Sequence, residues 1–65
     1  MKGFTNKRTV IRFEQSGINR TFEYNGEQSD AMAVLQSKVG KDVKVISGTC
    51  KTLAKDIKSG DYFFE

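Results

Sequence analysis

The chain has 65 residues, a net charge of +3, 37% hydrophobic and 29% charged residues, one cysteine and no histidine. Residues 1–65 are therefore one small domain, able to bury only roughly 60% of the surface its unfolded form exposes, yet too apolar for a disordered chain. One cysteine excludes an internal disulfide, and without histidine the usual general base near neutral pH and the commonest zinc ligand are missing.

Residues 1–8 lack the apolar core of a secretory leader, and no later stretch is long and apolar enough to span a membrane. With a single thiol, the expectation is a cytoplasmic protein without a membrane partner.

Residues 9–15 and 18–24 alternate apolar and polar side chains and are rich in β-branched and aromatic types, which predicts two strands. Ser16 and Gly17 between them suit a two-residue turn, since glycine accepts the positive φ that such turns demand. That loop length fixes a register: Gln15 opposite Ile18, Phe13 opposite Arg20, Ile11 opposite Phe22, and Thr9 opposite Tyr24. One face then carries Ile11, Phe13, Ile18, Phe22 and Tyr24. The other carries Val10, Arg12, Glu14, Asn19, Thr21 and Glu23, a mixture of signs suited to water and without aromatics on which bases could stack. Arg20 is the polar intruder on the apolar face, its stem expected to lie over the core edge with its head in solvent, the alternative being a pairing with a buried acid.

Asn25 and Gly26 break the strand. Ser29 is placed to cap a helix starting at Asp30, whose charge favours the positive end of the helix dipole. Ala31, Met32, Leu35 and Val39 recur at helical spacing, with Val34 widening the stripe, and Gly40 suits the position after the last turn. The stripe should pack on the apolar face of the hairpin.

A second pair of short β-prone runs, residues 43–46 and 49–53, flanks Ser47 and Gly48 and predicts a second hairpin. Its register sets Val45 opposite Cys50, Val43 opposite Thr52 and Lys44 opposite Lys51, turning Cys50 inward as a structural thiol. Residues 55–61 are turn-like, and residues 62–64 form a short aromatic strand with either Phe63 or its neighbours Tyr62 and Phe64 at the surface.

The expected fold is α+β: an antiparallel sheet of four to five strands in the order β-β-α-β-β(-β), with a single helix packed on one face. This order is similar to that of small bacteriophage proteins that inhibit host enzymes such as RNA polymerase or uracil-DNA glycosylase. The resemblance lies in element order and implies an accessory protein that inhibits or redirects a host protein.

The acids show no metal-loop spacing and the glycines no phosphate-cradling motif, so no catalytic, metal or cofactor site is expected and the chain reads as a non-enzyme. Binding is the expected work. Arg12, Lys44, Ile46, Lys51 and Phe63 are the candidate contacts for a host or cognate protein, or for a second copy in a homodimer. The alternative is a basic nucleic-acid binder that meets phosphates with Arg8, Lys38, Lys41, Lys44 and Lys51.

Overall fold

The computed structural model describes residues 3–65; Met1 and Lys2, part of the stretch read for a leader, lie outside the described residues. The elements run β1 (Phe4–Gln15), β2 (Ile18–Tyr24), α1 (Gln28–Val39), β3 (Lys44–Lys58) and β4 (Tyr62–Phe64). They build a four-stranded antiparallel sheet in the order β3-β1-β2-β4, with α1 on one face. Among the described residues, no helix is long and apolar enough to cross a membrane.

The first hairpin has the register that its sequence predicts, from Gln15 opposite Ile18 to Thr9 opposite Tyr24. Ser16 and Gly17 both adopt positive φ, 55° and 78°, the primed turn whose twist matches that of the strands it joins. Ile11, Phe13 and Phe22 are fully buried with Ala31 and Leu35 of α1, while Tyr24, Met32, Val34, Val39, Val43 and Phe64 close the edge of this core. Ile18 departs from expectation. At the turn end of its strand it lies beyond the helix and is 62% exposed.

α1 begins earlier than its sequence suggests. Glu27, in extended conformation, occupies the cap position, and its carbonyl accepts the first helical bond from the Ala31 amide at 2.9 Å. Ser29 therefore lies within the first turn and caps nothing, although Asp30 keeps its favourable place beside the positive end. At the other end Gly40 takes φ 88° and donates its amide to the Gln36 carbonyl, and Gln15 Nε2 donates to the Val39 carbonyl.

The second predicted hairpin does not form. Residues 44–58 are one fifteen-residue strand on the free edge of β1, with Glu14 opposite Lys44 and Arg8 opposite Lys51. The pairings of Lys44 with Lys51 and Val45 with Cys50 are absent, and Cys50 is exposed. The physical reason is the length of β1. Its twelve residues exceed what β2 pairs with, and a strand laid along its whole edge satisfies more backbone groups than a short hairpin could. Gly48 serves a different purpose from a turn: a Cβ there would stand 2.8 Å from Gln28 Nε2, so the glycine lets the first turn of α1 approach β3. The ladder slips twice, at Arg12/Phe13, which leaves Ile46 as an extra residue, and at Thr5/Lys7, where residues 53–56 leave the ladder. The order β-β-α-β-β is still met, because the terminal aromatic strand supplies the fourth strand.

β4 lies at the opposite edge of the sheet from β3, and Asn25 secures the crossing between them. This asparagine is 4% exposed, with its amide donating to the Asp61 carbonyl (2.8 Å) and its carbonyl accepting from the Gly60 amide (2.9 Å). Its Nδ2 donates to the Lys58 carbonyl at 2.8 Å and its Oδ1 accepts from Arg8 Nε at 3.1 Å.

Three substitutions check this architecture. Gly17→Ala forces a Cβ onto a left-handed residue and should cost about 1 kcal/mol in urea unfolding. Gly48→Ala should stay within about 0.5 kcal/mol of the parent, because only the tip of Gln28 has to move; a loss equal to that of Gly17→Ala would place a turn there after all. Asn25→Ala removes the donor to Lys58 and the acceptor of Arg8, an expected loss of about 2 kcal/mol. Unchanged stability in that variant would contradict its role at the crossing.

Candidate functional site

Helix α1 covers one face of the sheet, and among the described residues nothing covers the other. The open face can be followed as four rows across the strands. Lys51 stands beside Arg8, which leads to Asn25. Thr49, Val10, Glu23 and Phe63 form the second row. Ser47, Arg12 and Thr21 form the third, extended by Glu65, whose backbone exchanges hydrogen bonds with Thr21. Lys44, Glu14 and Asn19 make the fourth.

All five candidate protein contacts lie on or beside this open face, spread over its four rows. Arg12, Lys44 and Lys51 are exposed on this face. The extra residue Ile46 is 55% exposed and lines a shallow hollow with Arg12, Asn19 and Thr21. Phe63 is 48% exposed, while its neighbour Phe64 turns to the core, its ring 4.9 Å from that of Phe22. Tyr62 shares the core-side face, its ring 5.9 Å from that of Phe22, but remains 39% exposed at the rim.

The candidate phosphate contacts do not share one face. Lys44 and Lys51 belong to the open face. Arg8 does too, but its guanidinium is already engaged by Asn25, by Glu23 at 3.9 Å and by the Phe63 ring at 5.8 Å. Lys38 lies on the helix side, with Nζ 5.3 Å from the centre of the Tyr62 ring, and Lys41 is exposed in the segment after the helix.

Arg20, the intruder in the sequence pattern, rests its guanidinium 5.0 Å from the centre of the Phe64 ring. The contact suits a cation over an aromatic face and leaves Arg20 half-buried at the edge of the core.

Charges of both signs share the open face. Arg8, Arg12, Lys44 and Lys51 stand among Glu14, Glu23 and Glu65. Glu65 has its carboxyl pKa raised from the ordinary 4.5 by a side-chain hydrogen bond to Glu23 and by the charge of that neighbour. Sequence pattern alone misses this pair, because it arises only when β4 docks beside β2. It misses Asn25 as well, which reads as a strand breaker. Among the described residues, no three His, Cys, Asp or Glu side chains stand close enough to hold a metal ion.

Compared with known proteins, the chain matches no family model, no curated protein and no solved structure.

The carboxyl pair gives a pH dependence with a definite sign. A pKa raised by folding contributes stability that is complete below the unfolded value and lost as pH rises through the folded one. Stability from Glu65 should therefore be present below about pH 4.5 and decline above it. Glu65→Gln should flatten that decline in thermal melts recorded across the range; an unchanged profile would mean that the two carboxyls do not interact.

Proposed function

We propose that this chain is a non-catalytic binding module that recognises another protein through the open face of its sheet and acts as an inhibitor or adaptor of that partner. The observation that carries this reading is a shared, uncovered face. Arg12 from β1, Lys44, Ile46 and Lys51 from β3, and Phe63 from β4 are exposed on or beside one face that no other element covers among the described residues. A half-exposed aromatic ring, an arginine and aliphatic side chains set among charges of both signs have the composition of a protein interface, in which Phe63 and Arg12 would be the anchors. The element order, similar to that of small phage inhibitors of host enzymes, suits the inhibitor form of this reading.

One arrangement favours nucleic acid instead: Arg8 and Lys51 stand side by side near the exposed Phe63 ring. Against it, Glu23 and Glu65 border the same ring and would repel a phosphate backbone, and Lys38 and Lys41 lie elsewhere.

An affinity pull-down from extracts of the source cells, with and without nuclease, separates the two. The expected result is a protein partner that survives nuclease and whose binding weakens at least roughly tenfold when Arg12, Lys44, Lys51 and Phe63 are all changed to alanine. These side chains are exposed, so the variant should retain the fold. Unchanged capture by the variant would refute the face. Loss of all capture after nuclease, with affinity falling by about 0.9 log units per log unit of salt for each duplex-DNA phosphate contacted, would establish the nucleic-acid reading.

A further inference from the structure

The two edges of the sheet differ in what they offer. β4 presents three residues at one edge, and β3 presents fifteen at the other with no further strand beside it among the described residues. An outermost strand holds a row of backbone donors and acceptors that another strand can pair with. Bulges and lysines are the usual means of blunting such an edge, and β3 has both. The bulges, however, delimit the edge without abolishing it. Between the slips at Arg12/Phe13 and Thr5/Lys7, residues 47–52 run in unbroken register with Arg12 through Lys7. A run of six residues matches the usual strand length of about 5–6.

Charge selects the occupant. β3 holds Lys44, Lys51, Lys55 and Lys58 against Asp56, so this strand alone carries the net +3 of the chain and the charges of the remaining residues cancel. A second copy of β3 would bring the same excess against itself. An acidic strand would meet an opposite one. Within the run, Ser47, Thr49 and Lys51 share the open face with Arg12, Val10 and Arg8, while Gly48 and Cys50 share the helix-side face with Ile11 and Thr9. Val45, 42% exposed, lies on that same side.

Building on the reading that the partner is a protein, we propose that the free edge of β3 at residues 47–52 accepts an extended acidic segment of that partner as a fifth strand. Backbone bonds supply the affinity, and the alternation of the incoming strand supplies the selectivity. Its acidic side chains lie on the open face near Lys44 and Lys51, and its small apolar side chains lie on the helix side beside Gly48 and Val45.

The test titrates the isotopically labelled full chain with two synthetic seven-residue peptides, one alternating glutamate with valine and threonine, the other with lysine in place of glutamate. The acidic peptide should shift the amides of residues 47–52, slow exchange of those that face outward, and bind several-fold more weakly when salt is raised. The lysine peptide should leave them unmoved. The variant Lys44→Glu/Lys51→Glu/Lys55→Glu alters exposed side chains only. It should keep a dispersed spectrum and reverse the preference. Shifts confined to Phe63, Arg12 and Thr21 would overturn the edge while leaving the face proposal intact. Absence of shifts with either peptide at millimolar concentration would also overturn the edge, and the pull-down judges the face independently. Equal response to both peptides would refute the charge selection. A mass that rises with concentration in sedimentation would assign the edge to a second copy and refute the acidic partner.

Discussion

The hydrogen bonds of Asn25 are the constraint on which the sheet order depends. The chain leaves β3 at one edge and must begin β4 at the other, past both strands of the central hairpin. In a flat sheet that crossing would cover about 14 Å, yet only residues 59–61 make it, and they turn at Gly60 with φ 89°. The crossing closes beyond the slip at residues 53–56, where β1 and β3 pair again and the Lys58 carbonyl lies 2.8 Å from Asn25 Nδ2. Asn25 then takes both remaining backbone bonds from the connection itself, at Gly60 and Asp61. A buried amide with every group satisfied can hold such a junction without a desolvation penalty. The buried hydroxyl of Thr9, which donates to the Gly26 carbonyl at 2.9 Å, fixes the next turn of chain in the same place.

From that junction follows the character of the surface. Once β4 is delivered to the edge of β2, Phe64 seals the core against Phe22 and Phe63 is turned outward, since neighbouring strand residues face opposite sides. The same docking brings Glu65 beside Glu23 and places the Phe63 ring under Arg8. The described residues hold one helix, and the hairpin's apolar face claims it. The opposite face and the outer edge of β3 stay open because no further element exists among the described residues to cover them. A domain this small buries only roughly 60% of the surface its unfolded chain exposes, and the face away from the helix stays open to solvent.

Two Ser-Gly pairs show how much of this was legible. At Ser16 and Gly17 the alternation on both sides is strong, the flanking runs are long enough to pair, and the turn forms with the predicted register. At Ser47 and Gly48 the same dipeptide joins shorter runs, and the chain passes straight through it. Glycine signals a turn and a close approach equally well, and only the position of Gln28 distinguishes them here. The candidate face was read residue by residue as Arg12, Lys44, Ile46, Lys51 and Phe63. Its members share one side of the sheet, but through pairings of β1 with β3 and β2 with β4 that differ from the predicted second hairpin.

The sequence by itself determined the first hairpin, its register and its two faces, and the helix that packs on one of them. Those features rest on contacts between residues near in the chain, where turn length and periodicity leave few alternatives. The partner of β3, the exposure of Cys50, the outward turn of Phe63 and the role of Asn25 were decided by tertiary structure. Each depends on which distant edge offers the most unsatisfied backbone, and that competition is settled only when β1, longer than its hairpin partner, stands in the middle of the sheet.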